Sequence, residues 1–100
     1  MNLQERLAER VEKYMALEEE ALKKIRISVP QGSHLMTVAE DFLEMIRNYK
    51  NDASHFISQG DLVNALSALN YSYGWIDAGV RFGLFDGFGD TRLFTVFRSD

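Results

Sequence analysis

An all-α, antiparallel up-and-down three-helix bundle with an extended, Phe-rich C-terminal tail is the fold this sequence predicts, on three observations. Apolar residues recur at helical spacing in three long stretches. Two short connections separate those stretches, one holding Pro30 and Gly32, the other Gly60 and Asp61. Short connections in turn force neighbouring helices to run antiparallel. Helix one is expected over about 2–27, helix two over about 34–59, helix three over about 61–82 and the tail over 84–100, in one domain of 100 residues.

Helix one opens on Asn2, with Glu5 three residues later in a capping-box arrangement. Leu3, Leu7, Val11, Tyr14, Ala21 and Ile25 then make a stripe, which carries the helix to about Ile27. Glu18 stands where the stripe calls for an apolar residue. The expectation is that the seam loosens there, or that the helix end projects beyond its partners. Pro30 and Gly32 end this helix. Ser33 or Thr37 caps helix two, Thr37 with Glu40 as a T-x-x-E box. Leu35, Val38, Ala39, Phe42, Ile46, Tyr49, Ala53, Phe56 and Ile57 line one face of helix two. Gly60 supplies a left-handed stop and Asp61 an N-cap for helix three.

Helix three is the unusual element. Leu62, Leu66, Leu69, Tyr73, Ile76 and Val80 form its main stripe, but Ala65, Ala68, Tyr71, Trp75, Ala78, Gly79 and Phe82 extend the apolar or small surface over most of the circumference. A helix apolar nearly all round is covered on several sides, so it is either the central element or buries a second face against something else. Gly74 and Gly79 each cost about 1 kcal/mol relative to Ala, and close approach of a backbone or a bulky ring is the usual compensation. Gly83 ends the helix, with Leu84 folding back on Val80. The run Arg92-Leu93-Phe94-Thr95-Val96-Phe97-Arg98 alternates like a strand, yet no partner strand is evident. Either Phe88, Leu93, Phe94 or Phe97 is therefore expected on the open face of helix three, or the tail is ordered only by a partner.

Composition narrows the function classes. With no cysteine there is neither a disulfide framework nor a thiolate zinc site, and a cytoplasmic location is expected. No apolar run approaches the roughly 18 residues of a membrane span, and the charged N-terminus reads as helix rather than signal peptide. The net charge of −4 and scattered cations argue against general nucleic-acid binding. Only Lys23, Lys24 and Arg26 cluster, behind Glu18, Glu19 and Glu20 at the spacing of helix ion pairs. Catalytic residues are expected to be none: there is no G-x-S-x-G and no Gly-rich phosphate loop followed by Lys. No metal or other cofactor is expected either, since Asp52 and His55 are one i, i+3 pair where a bundle metal site needs acidic residues from several helices.

Two surfaces remain as candidates. Tyr71, Trp75 and Phe82 form an aromatic face suited to a protein partner, either an unknown one or a second copy of the chain, because aromatic and Arg anchors dominate interfaces. Asn70, Asp77 and Arg81 form a polar edge, which would serve a small-ligand or nucleotide-handling accessory; the plainer alternative is an i, i+4 ion pair between Asp77 and Arg81.

The string Tyr49-x-x-Asp52-Ala53-x-His55-Phe56-x-x-x-Gly60-Asp61-x-x-x-Ala65, followed by Tyr71-x-x-Gly74-Trp75-x-Asp77-Ala78-Gly79-x-Arg81-x-Gly83-Leu84, resembles the archaeal family known as domain of unknown function 357. The resemblance is dense over helices two and three and extends to the Pro30 connection and the Leu93-Phe94-Thr95-Val96 ending. It implies a small helical bundle of archaeal source with no assigned activity, so no site residue is carried over from it.

Overall fold

The computed structural model describes residues 1–95. It contains α1 (Leu3–Lys24), β1 (Arg26–Ile27), α2 (His34–Ser58), α3 (Leu62–Arg81) and β2 (Phe85–Asp86). The helices start where local chemistry supplies a cap. Asn2 accepts from the Glu5 amide at 2.8 Å, Ser33 from the Met36 amide at 3.2 Å and Asp61 from the Asn64 amide at 3.2 Å. Of the two candidate caps for α2, Ser33 is the one used. Gly60 (φ 74°) and Gly83 (φ 82°) end α2 and α3 in the same manner. The Asp61 amide reaches back to the Phe56 carbonyl and the Leu84 amide to that of Gly79, which is the six-to-one bond of a left-handed helix stop.

The helices run up, down and up, with α3 in the middle. The N-terminal half of α1 meets the N-terminal half of α3 through Val11, Ala65 and Leu69, together with Ala53 of α2. Towards the other end Ala21 and Ile25 of α1, Ala39 and Ile46 of α2, and Ile76 of α3 share a second cluster. Leu3, at the far end of α1, is 74% exposed, so it is the N-terminus that projects beyond the bundle.

Two expectations are corrected here. Helix one stops at Lys24, because Ile25 turns extended (ψ 150°) and Arg26 and Ile27 pair antiparallel with Asp86 and Phe85. Phe85–Asp86 is thus a two-residue strand that the sequence reading did not place, while the alternating run from Arg92 begins in a turn and continues beyond the described residues; Ser28 extends the stitch by donating from its amide to Leu84 O and from its hydroxyl to Gly83 O. The seam also does not loosen at Glu18. That side chain is fully buried, with Oε1 against the Ser72 hydroxyl, while Ser72 Oγ lies 2.9 Å from the Ile46 carbonyl oxygen. A hydroxyl has one proton and a carbonyl can only accept. Both bonds form together only when the Glu18 carboxyl is itself the donor, and so is protonated. Burial pushes its pKa up from 4.5 to about 7, against the pull of the Ser72 contact and of Lys50.

The tail is a strap. Leu84, Phe85, Leu93 and Phe94 are buried, the Tyr73 hydroxyl donates to Leu93 O at 2.6 Å, and Lys24 Nζ meets Asp90 at 2.8 Å. Arg92 pairs with Glu20 of α1. The strap therefore lies over the flank of α3 that carries Tyr73 and Asp77, and not over the aromatic face where it was expected. Phe88 is 58% exposed, and Phe97, the other named candidate, lies outside the described residues.

Candidate functional site

Because the strap takes one flank of α3, the opposite flank stays open. There Phe42 of α2 and Tyr71, Gly74, Trp75, Ala78 and Phe82 of α3 line an open groove of about 480 Å³, with Asn70 at its edge. Antiparallel pairing of α2 with α3 builds its aromatic wall in rungs. The Phe42 and Trp75 rings meet edge to face with centroids 4.8 Å apart, and Tyr49 packs on Tyr71 at 4.5 Å. Tyr71 and Trp75 touch along the helix at 6.4 Å. Such ring pairs stabilise by about 0.5–1.5 kcal/mol beyond the area they bury. They hold Trp75 half-buried, as a fixed wall of the groove.

The three aromatic candidates are thus brought together, in different states. Tyr71 is 53% exposed, Trp75 is half-buried and Phe82 is 79% exposed at the C-cap of α3. Gly74 is exposed on this face, and a β-carbon there would meet nothing within 4 Å. Close approach does explain Gly79, where a β-carbon would fall 2.3 Å from the Phe85 ring, but it does not explain Gly74 within this chain. None of the groove's lining residues carries a charge.

The polar edge does not converge on a pocket. Asn70, Gly74 and Asp77 line a second cleft of about 390 Å³ with Tyr14, Tyr73 and the strap, and the lining of that cleft does not include Arg81. Two of its polar groups, Asp77 and Tyr73, are already engaged. Asp77 accepts from the Thr95 amide at 3.0 Å and sits 3.4 Å from the Thr95 hydroxyl, while Tyr73 is bonded to Leu93 O. Burial pushes the Tyr73 phenol up to about 12, so it stays a neutral donor to that carbonyl. Asp52 and His55 are both exposed on α2, outside the lining of the aromatic groove.

Sequence reasoning missed Phe42 as a groove residue, assigning it to the core face of α2. Counting outward from Gly60 along both helices sets Tyr49 opposite Tyr71 and Phe42 opposite Ala78, one helical turn from Trp75, which is the signal that finds it. A further apolar groove of about 450 Å³, between Val11 and Met15 of α1 and Ile57 and Leu62 beside the α2–α3 turn, was also missed. It carries Glu12 and Glu19 on its rim.

Over residues 13–85 the chain matches a family model described as Protein of unknown function (DUF357). The matched stretch includes the aromatic groove, the buried Glu18 and Ser72, and the helix stop at Gly83, and it ends at the first residue of β2. Searches of the curated proteins and of the solved structures returned no match.

Proposed function

The chain belongs to the family of proteins of unknown function DUF357, and from that premise we propose that it is a non-enzymatic, cytoplasmic interaction or assembly module that works through the aromatic groove of α2 and α3. One observation carries the reading. Phe82, a large apolar side chain, stands 79% exposed beside a groove walled by Tyr71 and Trp75, although a Phe-rich strap is at hand and packs elsewhere. Burying a Phe side chain is worth roughly 1.5–3 kcal/mol, so one anchor of this kind weighs heavily in a binding equilibrium.

Other features agree. A groove with no charged lining suits an apolar protein surface better than a phosphate backbone or an ionic ligand. The alternative, a small-ligand or nucleotide-handling accessory at Asn70, Asp77 and Arg81, has less support, since Asp77 is occupied by Thr95. No helix among the described residues is long and apolar enough to cross a membrane, and a cysteine-free chain fits a reducing compartment.

The test is affinity purification from native extract with three tagged forms: the unaltered chain, Phe82→Glu and His55→Ala. The expected result is a partner retained by the first and third and lost at least about tenfold, or 1.4 kcal/mol, with Phe82→Glu at unchanged helix content. Equal retention by all three would place the working surface elsewhere.

A further inference from the structure

Within α1 the buried side chains are Val11, Glu18 and Ala21, so a carboxyl is the bulkiest group with which this helix enters the core. The neutral carboxyl fits its place, because it donates to Ser72 Oγ while the Ser72 proton goes to Ile46 O. A carboxylate does not fit. It has no proton to give, so Ser72 must turn from the Ile46 carbonyl to serve it, and Oε2, buried without a partner, keeps its share of the charge where no donor reaches it. The ionisable groups around it do not supply one. Glu19 on α1 has like charge, Lys50 on α2 is drawn to Glu19 at 3.7 Å, and Tyr73 on α3 gives its hydroxyl proton to Leu93 O.

We propose that ionisation of Glu18 releases α1 from the bundle, hinged at Ile25, while the α2–α3 hairpin keeps its fold. The architecture places the weaker joint at α1. The tight turn at Gly60 and the Phe42–Trp75 and Tyr49–Tyr71 ring pairs hold α2 to α3, and their contact is the most extensive between helices, whereas α1 packs mainly on α3. Ile25, directly after α1, is extended, and beyond it Arg26 and Ile27 are fixed to Asp86 and Phe85. The far side of the hinge therefore stays in place. The Lys24–Asp90 and Arg92–Glu20 pairs are partly exposed and tie the last turns of α1 only weakly. Outward movement of α1 carries Glu18 to water and uncovers Ala53, Ala65 and Leu69, which pack with Val11 in the closed form. Because the folded-state pKa is raised to about 7, closure is most favoured below about pH 4.5 and loses that advantage as pH rises to about 7.

Native-state hydrogen exchange of the full chain, at pH 5 and pH 8 and over a series of low urea concentrations, tests this, with each rate divided by the intrinsic rate at its pH. Amides from Tyr14 to Leu22 are expected to share one opening that depends little on urea and whose equilibrium constant exceeds that of Ser72 to Val80 at both pH values. That constant should rise roughly fiftyfold from pH 5 to pH 8. Glu18→Gln keeps a donor to Ser72, and Glu18→Met puts an apolar side chain of similar size in the same place; each should cut the rise to less than about threefold. One opening constant and one urea slope shared by α1 and α3 would overturn the proposal, since α1 would then leave only when the whole chain unfolds, and this wild-type comparison holds even where a variant does not fold. A wild-type α1 opening indifferent to pH, or a full rise kept in both variants, would overturn Glu18 as its cause.

Discussion

Glu18 shows how one residue carries information that its position in a pattern only hints at. Its carboxyl is buried, and the one-proton limit of the Ser72 hydroxyl requires it to be protonated, with Oε2 left as a buried oxygen without a partner. A folded-state pKa of about 7 against 4.5 means that the folded chain holds this proton more tightly than the unfolded one. Stability then falls as pH rises from about 4.5 to about 7 and levels off above, by roughly 3 kcal/mol at about 1.4 kcal/mol per pH unit. Glu19 and Lys50 are the charged neighbours whose fields bear on it. Glu18→Gln keeps the shape and removes the titration. Urea unfolding at pH 5 and pH 8 should show the variant losing less stability than the wild type between them, by up to that amount; parallel losses would mean that Glu18 is ionised in the fold. The sequence showed the break in the α1 stripe. It could not show the cause, because Ser72 and the Ile46 carbonyl come to Glu18 only through packing of three helices.

At the scale of elements, the two glycines inside α3 should respond with opposite signs. Gly74→Ala adds helix propensity in open space and should stabilise the monomer by about 1 kcal/mol. Gly79→Ala drives a methyl into the buried Phe85 ring and should destabilise by about 1–3 kcal/mol. Melting curves at low concentration read both, and equal effects would contradict the packing of Phe85 on α3. The starts of α1 and α3 and the stops of α2 and α3 were legible because each is decided within a few residues, at Asn2, Asp61, Gly60 and Gly83. The β1–β2 pair was not. It joins residues near 26 to residues near 86, and two residues a side are too few to leave an alternating pattern.

For the whole molecule, the sequence reading held α3 to be either the central element or one that buries a second face, yet set the strap on the wrong flank. Apolar periodicity tells which residues seek burial, while the choice of flank depends on long-range contacts such as Lys24 with Asp90, Arg92 with Glu20 and Asp77 with Thr95. Deleting the residues after Asp86 removes the buried Leu93 and Phe94 and should cost about 3–6 kcal/mol, a large part of a small domain's stability. Urea unfolding measures that loss, and Trp75 emission in the folded state should hardly change, since the strap is not its cover; a large emission shift would put the strap back on the aromatic face. The central claim, that the open flank of α3 is a binding face, is tested most directly by photo-crosslinking from a benzophenone side chain placed at position 82, with position 51 on the side of α2 away from Phe42 as the comparison. Crosslinks to a second copy or to one discrete partner from 82, with none from 51, are the predicted result, and crosslinks from 51 alone, or equal diffuse labelling from both, would contradict it.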